Sequence, residues 1–255
     1  MGKYFNVTVK PQSSVAALVA EDITTGMVLC DWHGFDIPKG AARMIGLSIL
    51  YTGKNGQDYT ATDFDIFWAK GNADGTAPIT LGDAGAIVDT FGWFNNIQGK
   101  VHIDASDGTN GGDLIMGNVI SAINVTGGAG ISGHGGGSGL VLQGVPDSGT
   151  NVGYDKVYAA LIAKGTHNWG VSTMAVSTLT ATTTPIVVVK TLDALLSGIG
   201  PGDVLRDEDN LLLGTVKSVD SATQITLEDN CASVSAVDKV VYNTCPITLV
   251  LSFEK

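Results

Sequence analysis

Tyr4-Phe5-Asn6-Val7-Thr8-Val9 alternates apolar and polar side chains with a period of two. Successive side chains of a strand point to opposite faces, so Phe5, Val7 and Val9 line one face and Asn6 and Thr8 the other. The same period recurs along the chain. Val15–Val19, Ile45–Tyr51, Phe64–Ala69, Lys100–Ile103, Ile115–Val125, Leu140–Val145 and Lys156–Ala163 all read as strands. Between them stand Lys54-Asn55-Gly56, Ala73-Asp74-Gly75 and Asp107-Gly108, which supply the positive φ that tight turns require. Helical patterns are few, one short turn over Asp83–Asp89 and another over Thr191–Leu196. The reading is an all-β chain whose larger part is a jelly-roll-like β-sandwich with long loops.

A second unit follows. Ser177–Pro185 is rich in Ser, Thr and Ala, the composition of a linker or edge segment. After it Ile186–Val189, Val204-Leu205, Leu211–Val219, Gln224–Leu227 and Lys239–Tyr242 crowd several short strands into a small stretch, the pattern of an inserted SH3-like β-barrel. Pro246–Phe253 is a further clean strand that the small unit does not need. The expected division is therefore a sandwich body over 1–176 and 244–255, with a barrel module over 177–243 inserted before the last strand.

Composition narrows the function. Of 255 residues 44% are hydrophobic, 15% are charged and 34 are glycine, with a positive mean hydropathy. This is a folding chain rather than a disordered one. The formal net charge is −11, and only 14 Lys and Arg are present, scattered rather than clustered. Nucleic-acid binding by phosphate neutralisation is not expected. No apolar run reaches the roughly 18 residues of a membrane helix. The opening residues read as a strand and not as a signal peptide, and Asn6 stands where myristoylation calls for Ser or Thr. A soluble, unanchored protein is expected. Cys30, Cys231 and Cys245 match no zinc spacing and read as buried thiols; a bridge between Cys231 and Cys245 is open but not expected. The sequons at Asn6 and Asn124 read as chance.

Each chemical candidate has a plainer alternative. Gly127–Gly139 is the most unusual stretch, yet it holds no Lys and runs into a strand pattern rather than a helix. A phosphate loop needs both, so a β–β connection that a partner could order is preferred, with Gly130, His134 and Gly136 as its contact residues. Asp104–Asp113 gathers oxygen ligands as a calcium loop would but lacks the EF-hand spacing and closing Glu, so calcium there stays open, and Asp207-Glu208-Asp209-Asn210 fits a hairpin tip. His33, His102, His134 and His167 stand singly and read as surface or loop residues, and no nucleophile or metalloprotease motif accompanies them. Trp68 lies in a strand pattern and reads as core. Trp93 and Trp169 have polar neighbours and are partner-contact candidates; together with Trp32, such residues could also line a sugar site. No catalytic residue, metal or cofactor is implied.

Gly200-Pro-Gly-Asp-Val-Leu, Leu213-Gly-Thr-Val-Lys-Ser-Val-Asp-Ser and Gln224-Ile-Thr-Leu-Glu resemble a small β-barrel module common in virion proteins of tailed bacteriophages, over about a quarter of the chain. The rest, with strands such as Thr62–Ala69 and Ile247–Phe253, is similar in style to head or decoration proteins of marine and cyanobacterial phages. The resemblance implies a non-enzymatic capsid decoration or cement protein. Such a protein binds the major capsid protein or other virion proteins, commonly as a homo-oligomer, and reaches the virion after assembly in the host bacterial cytoplasm. The rival is a glycan-binding adhesin or tail receptor-binding protein using the loop tryptophans. A hydrolase with a site built from distant acids is a third class.

Overall fold

A computed structural model describes residues 2–19, 23–51, 62–87, 92, 94–103, 108–110, 118–124, 140–146, 153–167, 174–190 and 199–255. Its elements in chain order are β1 (Tyr4–Val9), α1 (Val15–Val19), β2 (Val28–Pro38), β3 (Ala41–Tyr51), β4 (Phe64–Lys70), a 3-10 turn (Phe94–Asn96), β5 (Ile97–Ile103), β6 (Gly108–Asn110), β7 (Asn118–Asn124), β8 (Leu140–Gln143), β9 (Val145–Pro146), β10 (Tyr154–Ala163), β11 (Ile186–Val188), β12 (Val204–Asp207), β13 (Leu212–Ser221), β14 (Gln224–Leu227), β15 (Val241–Asn243) and β16 (Ile247–Glu254). The protein is all-β, with three antiparallel sheets and a single short α-helix among the described residues.

The first sheet runs β1-β16-β3-β7-β6, with β8 pairing the other half of the β3 edge. The second runs β2-β10-β4-β5, with β9 beside the start of β10. Period-two patterning explains why they face each other. Ile247, Leu249, Leu251 and Phe253 of β16 are fully buried, whereas Val250, Ser252 and Glu254 on the other face are only partly covered. These four meet Phe35, Phe64, Ile66, Trp68, Val101 and Leu161 of the second sheet in one core. Phe5 of β1 stacks on Phe253, ring centroids 5.2 Å apart, and Trp68 meets Phe35 edge-on at 5.9 Å. β10 is buried on both faces: Val157, Ala159 and Leu161 enter the main core, while Ala160 and Ile162 pack outward with Val28 and Leu81. The segment around Leu81 lies over that outer face, held where Val28 donates to the Gly85 carbonyl at 3.0 Å.

The third sheet runs β11-β14-β13-β12-β15 and has its own core, including Val187, Leu205, Val216, Ile225 and Val241. Met174 and Val176, just ahead of the composition break at Ser177, also belong to this core. Backbone bonds tie their segment to residues at both sheet edges, Val176 donating to Lys239 and Ser177 to Val188, each at 2.8 Å.

Several strand patterns depart from expectation for identifiable reasons. Val15–Val19 is the α-helix: Ser14 Oγ accepts from the Ala17 amide at 3.0 Å, an N-cap that outweighs a five-residue alternation. Leu140–Val145 breaks at Gly144 into β8 and β9, which pair with opposite sheets. A Cβ at Gly144 would lie 2.4 Å from Asp155 Cβ, so only glycine lets the chain cross there. Within Asp83–Asp89 the described residues, through 87, form no helix, because Ala86 bridges to Met27. The turn Lys54–Gly56 and the helical pattern Thr191–Leu196 lie outside the described residues.

The two faces of β16 generate a stability prediction. Leu249→Asp places a carboxylate in the main core and should cost about 4 kcal/mol or more. Val250→Asp, on the partly covered face, should cost less than about 1 kcal/mol. Urea unfolding midpoints of the two variants check this, and equal losses would contradict the assignment of faces.

Candidate functional site at the junction of the two units

The body and the smaller unit meet through consecutive residues with opposite allegiances. Val241 is buried in the smaller core and its neighbour Tyr242 in the main one. β15 thus presents one face to each unit, as a strand's alternation requires. Polar pins surround it. Lys10, directly after β1, donates to Asp203 Oδ1 at 2.6 Å and to the Pro201 carbonyl at 2.9 Å. Asp203 Oδ2 accepts from the Gly200 amide at 2.8 Å and from Asn243 Nδ2 at 2.9 Å. Burial pushes the Asp203 carboxyl above its usual range, and the bonds from Lys10, Gly200 and Asn243 offset that only in part. Ser13 donates its amide to the Thr244 carbonyl at 2.7 Å, and its hydroxyl lies 3.1 Å from Cys30 Sγ. Burial pushes the Cys30 thiol up to about 12 and the Cys245 thiol to about 11, so both pack as neutral thiols rather than react. All three cysteines are free and buried; Cys231 sits in the smaller core and Cys245 against the Lys10 carbonyl.

Beside these pins a cleft of about 320 Å3 opens between the units. Gln12, Ser13, Ser14, Val28, Leu29 and Asp31 line it from the body, Thr80, Gly82 and Asp83 from the covering segment, and Arg206 of β12 and Asn210 of the turn after it from the smaller unit. Local bonds hold the walls. Asp31 Oδ1 accepts from the Leu81 amide at 2.9 Å, and its other oxygen accepts from the Thr80 hydroxyl. Arg206 Nη1 donates to the Asn210 carbonyl at 2.9 Å, and Asn210 takes a left-handed φ of 63°. Asp207 is wholly buried beneath that turn. Its carboxylate accepts from the amides of Asp209 and Leu211, at 3.1 and 2.9 Å, and from the Ser235 hydroxyl at 2.7 Å. The stretch Asp207–Asn210 is therefore the tip of a hairpin, as its composition suggests, with Lys239 bonding to Glu208 and Asp209 outside it.

A second polar centre sits on the outer face of β4. Asp65 lies between the core residues Phe64 and Ile66 and is itself buried. Lys100 Nζ donates to it at 2.9 Å, His102 Nδ1 lies 2.8 Å away and Lys164 Nζ 3.3 Å away. Burial alone would raise the Asp65 carboxyl. The hydrogen bonds from Lys100 and His102, with the charges of Lys100 and Lys164, outweigh it and hold the carboxyl below its usual value.

The expected contact residues Trp93, Trp169, Gly130, His134 and Gly136 lie outside the described residues, as do 104–107 and 111–113 of the acidic loop. Of that loop, Gly108–Asn110 is strand β6. Trp68 is core, and Trp32 donates its indole N–H to the Ile79 carbonyl at 3.0 Å while packing on the outer face of β10. His167 is not a surface residue. It is fully buried, its Nε2 3.0 Å from the Asp63 carbonyl and its ring edge-on to Phe64, and burial lowers its pKa. Burial likewise lowers that of His33. The cleft is not legible in the sequence because its described lining residues come from four separate segments and none carries a motif. No protein-family model matches the chain, and no curated protein matches it.

The Asp65 centre has a pH signature. A carboxyl held below its unfolded value of about 4 contributes stability above that pH and loses it as pH falls through the folded value. Asp65→Asn should cost about 1–3 kcal/mol at neutral pH. Between about pH 4 and pH 2 the variant should lose less stability than the parent. Thermal unfolding across that range is the measurement, and parallel acid limbs would contradict the charged assignment.

Proposed function

We propose that this protein is a non-enzymatic structural component of a tailed-bacteriophage virion, a head decoration or cement subunit that binds the major capsid protein lattice and associates with copies of itself. It assembles onto the particle in the host bacterial cytoplasm. The observation that carries this reading is strand order. Counting the body strands β1, β2, β3, β4, β5, β7, β10 and β16 in sequence, one sheet runs first-eighth-third-sixth and the other second-seventh-fourth-fifth. That order supports a jelly roll, an architecture of viral capsid proteins and also of lectins and cupins. Fold alone does not select among these. The likeness of Gly200–Glu228 to a phage virion module favours the first.

The third sheet stands between the seventh and eighth body strands, and the 174–177 segment bonds across its edges. Both support a small SH3-like barrel carried by the body. We divide the chain into a body over 1–176 and 244–255 and a module over 177–243, with Met174 and Val176 reaching into the module core. A protein that decorates a repetitive lattice binds many times over, so modest contacts per copy suffice. With a net charge of −11, an electropositive face on the shell is the complementary partner.

Electron cryomicroscopy of particles purified from the phage that encodes this sequence tests the proposal. Density with this two-unit shape should recur at equivalent positions of the head lattice. Particles that lack the chain altogether would overturn the reading.

A further inference from the structure

We propose that the cleft between body and module is a binding site for a neutral sugar residue. The walls present complementary groups. Asp31 and Asp83 offer acceptors, Arg206 offers donors, and the side-chain amides of Gln12 and Asn210 with the Ser14 hydroxyl offer both kinds. A hydroxyl donates and accepts at one atom, so a polyol is satisfied against such a lining where a purely anionic or purely cationic ligand is not. Charge sharpens the choice. Among the described residues the lining holds two carboxylates and one guanidinium, in a chain of net charge −11, which disfavours phosphates and acidic sugars. Arg206 on the opposite wall offsets one of the two carboxylates, so a cationic ligand gains little from the charge of the lining. Neutral saccharides remain.

Size and rigidity agree. Sites for small molecules run from about 300 to 1,000 Å3, and a cleft of about 320 Å3 stands at the small end of that range, the scale of a single sugar residue. Asp31 is fixed by Thr80 and Leu81, and Arg206 by Asn210, so the polar groups are set before a ligand arrives. Asp83 makes no side-chain bond among the described residues and is free to take one from a ligand. With no aromatic platform among the described residues of the lining, a dissociation constant of about 1 mM is the expected scale. The site does not depend on where, or whether, the protein sits in a particle.

Sugars raise the melting temperature of most proteins by exclusion from their surfaces, so thermal shift is the wrong readout. The full isotopically labelled chain is instead titrated by NMR with glucose, galactose, mannose and N-acetylglucosamine, up to roughly fifty times the expected dissociation constant. At least one sugar should give saturable shifts at the amides of Gly82, Asp83 and Asn210. Asp83→Ala and Arg206→Met should each weaken it tenfold or more. If Arg206→Met disturbs the β12–β13 turn, Asp83→Ala and Gln12→Ala on the opposite wall still decide the matter. The proposal is overturned if none of the four sugars saturates at these amides, if Asp83→Ala leaves the affinity unchanged, or if inorganic phosphate binds there more tightly than every sugar.

Discussion

β15 is where this structure is joined, and its constraint is the period of a strand. Three residues long, it sends Val241 into one hydrophobic core and Tyr242 into another. Two separately packed units therefore share a strand rather than hang from a linker, which limits how far one can turn without exposing apolar surface. Lys10 and Asp203 reinforce the joint from the side, and Ser13 with Thr244 closes it from below. The cleft depends on this arrangement, since its two walls belong to different units and stay in register only while the shared strand holds them.

Buried carboxylates are the second theme. Asp65, Asp155, Asp203 and Asp207 are all withdrawn from water in a chain with few charged residues. Each is supported differently: Asp65 by cationic side chains, Asp207 by amides and a hydroxyl, and Asp203 by a lysine together with backbone and amide groups. Asp155 accepts from the Gly40 amide at 2.7 Å, with its other oxygen unpartnered among the described residues. Asp155, Asp203 and Asp207 sit where the chain turns, crosses between sheets or joins units, and Asp65 lies within β4. The first three accept backbone amides and fix the local chain, whereas Asp65 ties the side chains of β5 and Lys164 to β4.

Sequence pattern was most informative where a strand has one buried face. β1, β14 and β16 lie where their alternation places them, because water on one side and a core on the other enforces the period. It was least informative where other forces decide. In β2, Asp31, His33, Gly34 and Asp36 interrupt the apolar run, so an eleven-residue strand carried no alternating signal. α1 turned on a serine cap, and the break at Gly144 on a close approach to Asp155 distant in sequence. The site was legible only in fragments. Asp207–Asn210 stood out as an acidic tip, but nothing in the one-dimensional pattern brings it to face Asp31 and Asp83. That juxtaposition is a product of tertiary structure and of the shared strand.

The position of β16 bears on how the molecule comes together during synthesis. It lies between β1 and β3, yet the whole third sheet precedes it in the chain. Until the ribosome has passed the smaller unit, β1 and the facing edge of β3 have no partner between them, and their backbone groups are open to pairing with other chains. The smaller unit, built from neighbouring segments, can form first and carry the missing strand three residues behind its own last one. The nascent body is thus at its most vulnerable to misassociation just before it closes, and a stalled or truncated chain would be an aggregation hazard rather than a smaller version of the same protein.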